Sequence, residues 1–165
     1  MDTQPKSHTV RPADLGGPDA AAVSRLVEAY LVQTEREKAA HLGGTFKDAD
    51  LPERYRQEVE HPERAYQGAV VYVAELGESP VGVVVVQQAA NAREIKRVWV
   101  EPSARGHRLG SALMAAALRQ RDLPIRLTVW DWRDDAIRLY GNHGFSPVPS
   151  WDERPRLLCM ELGAH

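Results

Sequence analysis

Cysteine is almost absent from this 165-residue chain, and the one present, Cys159, has no second cysteine to pair with. That excludes an internal disulfide framework and any cysteine-based metal site, and it fits a reducing, cytoplasmic setting. Aromatic residues are sparse, at 7%. Long apolar runs are missing too: the longest, Val81 to Val86, is far too short to span a bilayer, so no membrane partner is expected. The opening MDTQPKSHTV has no hydrophobic stretch of the kind a secretory leader needs. Neither sign of charge dominates, with 21 Lys and Arg against 23 Asp and Glu and a formal net charge of −2. Nothing therefore points to a nucleic-acid partner. His41, His61, His107 and His143 share no ligand spacing, so no metal is expected. The 43% apolar content suffices for the core of a single domain over residues 1–165.

The elements alternate without repeats. His8 to Arg11 reads as a first strand. A helix starts at Pro18-Asp19, its apolar stripe formed by Val23, Leu26, Val27, Tyr30 and Leu31, and it frays before Gly43-Gly44. Pro52 begins a second, charged helix that ends near His61-Pro62. Ala69 to Leu76 and Val81 to Gln88 form a hairpin across Gly77 to Pro80, and Glu94 to Val100 is the next strand. Leu109, Ala112, Leu113, Ala116 and Ala117 line a third helix that Pro124 stops. Ile125 to Trp130 is a strand, Ala136 to His143 a helix closed by Gly144, and Arg156 to Leu162 a last strand. Hairpins mixed with helical crossovers predict an α/β (α+β) fold: a mixed, mostly antiparallel sheet with helices on both faces.

The most informative stretch is Val98 to Met114, VWVEPSARGHRLGSALM. A β-branched strand runs into Arg105-Gly106-His107-Arg108-Leu109-Gly110-Ser111 and then directly into an apolar helix. Such a turn offers free backbone N–H groups and a helix dipole to an anion, most naturally a diphosphate. Gly106 and Gly110 permit close approach, and Arg105, Arg108 and His107 add positive charge. An ordinary strand-to-helix connection is the competing reading of the turn alone.

One strand and one helix later stand Ala136-x-x-Leu139-Tyr140 and Gly144-Phe145. With Arg105-x-x-Arg108-x-Gly110, in this order and spacing, the chain resembles the GNAT superfamily of acyl-CoA N-acyltransferases, and the agreement of element order runs from about residue 8 to 162. The run Glu94 to Arg97 before Val98-Trp99-Val100 is similar to a bacterial subgroup of unassigned substrate. The resemblance implies an acetyltransferase using acetyl-CoA as cosubstrate, with no metal. It implies a fourth strand splayed from the fifth, with the pantetheine arm on the backbone of Val98, Trp99 and Val100. It also implies a pyrophosphate on the turn from Gly106 through His107, Arg108, Leu109 and Gly110 to Ser111, with Arg105 at the motif's first position. Tyr140 then falls where many members keep the tyrosine that protonates the departing thiolate.

Glu94 stands at the offset from the turn where histone-type members carry a catalytic glutamate, and strand period places Glu94, Lys96, Val98 and Val100 on one face. It is a candidate general base; the competing reading is a surface carboxylate paired with Lys96 or Arg97. Two positions depart from the family pattern. Arg108 replaces the motif's first glycine, and Arg133 replaces an asparagine that often contacts CoA. Arg108 either points outward with its N–H available or binds phosphate itself; Arg133 is carried as a CoA-side residue. Among the tryptophans, Trp151 is the leading candidate for an acceptor-pocket wall, and the acidic segment Glu53 to Glu63 slightly favours a cationic acceptor.

The resulting expectation is direct transfer of an acetyl group to a primary amine of a small molecule. Acetylation of a protein N-terminus or lysine, and a CoA-sensing module without turnover, are the alternatives. Members are often dimers, so a homodimer stays open.

Overall fold

Val81 to Val86 is too short for a membrane but right for a strand buried on both faces. Val84 and Val86 join one apolar cluster and Val83 and Val85 another. The computed structural model describes residues 7–165, so the leader reading of residues 1–6 lies outside them. In chain order the elements are β1 (His8–Pro12), α1 (Ala20–Leu42), α2 (Glu53–Glu60), α3 (Pro62–Ala65), β2 (Val70–Leu76), β3 (Ser79–Gln88), β4 (Arg93–Val100), α4 (Leu109–Ala117), β5 (Ile125–Trp130), α5 (Asp134–Asn142), β6 (Ser146–Val148) and β7 (Leu157–Leu162). The seven strands form one sheet in the order β1-β2-β3-β4-β5-β7-β6. Every pairing is antiparallel except β4 with β5.

Helices cover both faces, as the mixed connections predict. The stripe of α1 buries Val23, Leu26, Val27 and Leu31 against Val71, Val73, Val83 and Val85. On the other face α4 buries Leu109, Leu113 and Met114, and α5 adds Tyr140. Each fully buried side chain of this size contributes roughly 1.5–3 kcal/mol by leaving water. No helix among the described residues is long and apolar enough to cross a membrane.

Four expectations need correction. Pro124 does not stop α4, which ends at Ala117; the nearly buried Arg93 holds the following segment outside the helix through Asp122 (2.5 Å) and the Gln120 carbonyl (3.4 Å). Ser146–Val148 forms a strand missed in the sequence because it has three residues, one of them proline. Arg156 adopts φ 69°, so the last strand starts one residue later than expected.

The fourth correction positions the site. Lys96 lies opposite Val85 and Trp99 opposite Val83, so β4 bulges between them, and Arg97 takes φ 58°. The alternation of faces is therefore reset. Glu94 and Lys96 stay on the α1 side of the sheet, with Trp99 following them, whereas Val98 and Val100 pack toward α4 and α5. Glu94, Lys96, Val98 and Val100 do not share a face.

Candidate active site

Parallel pairing of β4 with β5 consists of Arg93 with Ile125 and Glu94 with Arg126, and then stops. Beyond Glu94 the two strands diverge, and their facing edges open a gap. Two clefts enter it from opposite sides. One, of about 780 Å³, runs from the turn before α4 to the start of α5; the other, of about 580 Å³, lies among α1, α2 and the loop before β7. Tyr30, Val98, Thr128, Trp130 and Tyr140 line both, so the clefts meet in the gap.

The larger cleft ends on the amides of residues 106–111. Among the described residues none of these six N–H groups has a protein acceptor; the α4 ladder begins with Ala112 N–H to Arg108 C=O, at 3.1 Å. Leu109 is anchored in the core while Gly106 is open to solvent, with space around it where a side chain would stand. This is a helix N-terminus with its donors unspent, suited to a diphosphate.

Two turn residues have local partners instead. His107 Nδ1 lies 3.0 Å from the Ala104 carbonyl, and Arg105 Nε donates to the Val100 carbonyl at 3.1 Å while its guanidinium covers the Trp99 ring. Ser111 Oγ meets His143 Nε2 at 2.9 Å, joining the ends of α4 and α5, and partial burial lowers the pKa of that imidazole.

Arg108 holds φ 59° and ψ 25°, a left-handed conformation that a glycine adopts freely. The backbone here thus has the positive φ that favours glycine, the residue that the sequence resemblance leads one to expect at this position. Arg108→Gly is expected to stabilise the fold by about 1 kcal/mol in denaturant titration, since a side chain is strained there. The same change should weaken CoA binding several-fold at low salt and flatten its salt dependence; unaltered affinity and slope would leave the phosphates to the backbone alone.

Tyr140 reaches the gap from α5. Its ring is buried against Phe145, with centroids 6.1 Å apart, and burial pushes its pKa well above the usual phenol value. The hydroxyl stays protonated at neutral pH and, among the described residues, donates to no protein acceptor. Tyr30, read from the sequence only as part of the core stripe of α1, faces the same gap. Its ring lies between the guanidiniums of Arg97 (5.7 Å) and Arg133 (5.3 Å).

Arg133 points to α1. It donates to both carboxylate oxygens of Glu37 (2.9 and 3.2 Å) and to Thr34 Oγ1 (2.9 Å). Trp132 Nε1 donates to the same Glu37 at 2.9 Å. Burial alone would raise the pKa of Glu37, but the hydrogen bond and charge of Arg133 outweigh it and the net shift is downward. Arg133 borders the larger cleft with its charge already matched, so it shapes the wall.

Trp151 lines neither cleft; it is 44% exposed and lies against Arg126. Trp130 is shared by both clefts, stacked on Trp132 (4.9 Å) and through it on His41 (4.4 Å).

In the smaller cleft Glu94 Oε1 lies 4.0 Å from Lys96 Nζ, the pairing that its surface reading anticipates, while the carboxylate still lines the cleft. The bulge residue Arg97 grips Glu58 of α2 with two bonds of 2.8 Å, and Tyr66 donates its hydroxyl to the same carboxylate at 2.8 Å. The acidic helix α2 thus presents Glu58 to the cleft already neutralised, beside Arg54 and Tyr55, and the slight bias toward a cationic acceptor is not supported.

A model of the acetyltransferase (GNAT) domain matches residues 67–147, which hold β2 through α5. Solved structures share the fold along almost the whole chain. The PaiA N-acetyltransferase of Thermoplasma acidophilum, in complex with coenzyme A, is 15% identical over 96% of this chain and 99% of its own, with a TM-score of 0.69. A histone acetyltransferase HPA2 and related acetyltransferase of Corynebacterium glutamicum is 24% identical over 96% and 97%, with a TM-score of 0.66. A ribosomal-protein-alanine N-acetyltransferase of Brucella melitensis is 22% identical over 93% and 98%, with a TM-score of 0.63. No curated protein sequence matches this one. Residues 67–147 thus match the acetyltransferase domain of the GNAT superfamily, the acyl-CoA-dependent N-acyltransferases, and the splayed sheet in which they sit is the fold of its solved members.

Proposed function

We propose that the protein transfers an acetyl group from acetyl-CoA to the primary amine of a small molecule, by direct attack within a ternary complex. The observation that carries this reading is the meeting of the two clefts at Tyr140, a protonated phenol without a protein partner among the described residues. Acetyl-CoA supplies the acetyl thioester. The amides of Gly106 to Ser111 hold its diphosphate, with Arg108 adding charge at their edge. The β4 edge left open beyond Glu94, at Val98, Trp99 and Val100, receives the pantetheine arm and offers N–H groups to the thioester carbonyl. Arg105 reserves the Val100 carbonyl and fixes the end of that edge.

The amine nitrogen forms its bond to the carbonyl carbon as the carbon–sulfur bond breaks. The Tyr140 hydroxyl gives its proton to the leaving sulfur, and the proton of the incoming ammonium passes to Glu94, directly or through water. Glu94→Gln is expected to lower kcat by about tenfold to a hundredfold. An unaltered kcat would take Glu94 out of the mechanism.

The test of the whole reading is release of free thiol from acetyl-CoA with a panel of amines, followed beside thermal unfolding. A ligand of the native state must raise Tm when present well above its Kd. Thiol release with small amines supports the reading. Stabilisation by CoA with no release under any acceptor would indicate a sensing module, and release only with peptides would indicate protein acetylation.

A further inference from the structure

Resting on the transfer reading above, we infer that the acceptor is an anionic amine, whose carboxylate or phosphate is held on the cationic wall of the smaller cleft. The cleft brings together five cationic side chains, Lys38, Arg54, Lys96, Arg97 and Arg154, against the carboxylates Glu35, Glu58 and Glu94. Two of those carboxylates are committed: Glu58 to Arg97 and Tyr66, and Glu35 to Lys38 at 3.0 Å. Glu94 meets Lys96 only at 4.0 Å. Arg154 binds Asp152, which is not part of the cleft wall, through Nε and Nη2, leaving Nη1 outside that pair. Among the described residues Arg54 has no carboxylate partner; its guanidinium reaches only the Tyr55 hydroxyl (3.1 Å) and ring (4.6 Å).

These charges arrive from different elements. Lys38 comes from α1, Arg54 from α2 and Arg154 from the loop before β7. Lys38 and Arg154 also lie within 6 Å of the Trp130 ring, at 5.8 and 5.9 Å from its centroid. Trp130, Tyr30 and Tyr55 give the cleft aromatic walls, so an anion there sits in a partly desolvated positive field. The same field has a catalytic consequence. Positive surroundings disfavour an ammonium, so the attacking nitrogen is delivered more readily as the free base. A polyamine would instead oppose the field with every charge it carries.

The decisive experiment compares matched pairs. Each common amino acid is supplied as the free acid and as its carboxamide, with phosphoethanolamine against ethanolamine as the phosphate arm and spermidine as the polycation. Thiol release from acetyl-CoA gives kcat/KM, and Tm in the presence of CoA gives binding independent of turnover. The best acid is expected to exceed its amide by about tenfold in kcat/KM and to raise Tm more. Phosphoethanolamine leading the panel would assign the anion as phosphate, an amino acid leading it as carboxylate; either supports the inference. In Arg54→Gln the acid-to-amide ratio should fall toward unity. Amides or spermidine turned over better than every acid would overturn the inference while leaving acetyl transfer standing. Failure of CoA to stabilise the protein would sink the transfer reading itself, and the Tm comparison of acid with amide would still decide the charge preference.

Discussion

Tyr140→Phe is expected to lower kcat by about a hundredfold to ten-thousandfold while CoA affinity and Tm stay nearly unchanged. The substitution removes one oxygen. The ring keeps its place in the core beside Phe145, and no protein hydrogen bond is lost among the described residues, because the hydroxyl makes none. What disappears is the proton source in the gap. A thiolate expelled into a buried, aromatic site is poorly solvated, so the loss falls on the chemical step. Rapid-mixing measurement of thiol release, beside CoA titration of the same variant, separates the two contributions. An unchanged single-turnover rate would return Tyr140 to a packing role.

Glu58→Ala should produce the largest loss of stability, about 3–5 kcal/mol by urea denaturation. Arg97 and Glu58 are only 17% and 15% exposed as side chains. Burial by itself would lower the pKa of Arg97, and the bonds to Glu58 outweigh it to give a net rise. Removing the carboxylate strands a guanidinium in that setting and deprives the Tyr66 hydroxyl of its acceptor. Glu58→Gln, which keeps the acceptor oxygen, should lose less and stay folded if the alanine variant does not. The double change Glu58→Met with Arg97→Met should be less damaging than Glu58→Ala alone, since no charge is left buried. A loss below about 1 kcal/mol for Glu58→Ala would show that the pair behaves like an exposed one.

The periodic elements were legible in the sequence. The α1 stripe, the Val81 to Val86 strand and the turn-to-helix boundary at Leu109 all follow from local patterning, which needs no knowledge of partners. The motif residues around Tyr140 and Gly110 located the gap and its larger cleft. What the sequence concealed is non-local. Arg97 in the bulge pairs with a carboxylate 39 positions away, and the bulge turns Val98 and Val100 off the face that strict alternation would share with Glu94. The pairing of Arg133 with Glu37, 96 positions earlier on α1, was equally hidden. Trp130 and Trp151 look alike as isolated strand-side aromatics; only the stacking of three rings shows which one walls the gap. The smaller cleft was least legible of all, since it is assembled from side chains of three helices, three strands and a loop.

The borders of the sheet carry a different consequence. Its two outermost strands, β1 and β6, each contain a proline, Pro12 and Pro147. Ser7 and Ala13 spend backbone groups on β2 and its turn, so Pro12 occupies an alternate, outward position, where an added strand would look for an N–H and find none. Pro147 likewise has no N–H, in a border strand only three residues long. Each border thereby offers one donor fewer to a further strand, which disfavours edge-to-edge growth of the sheet.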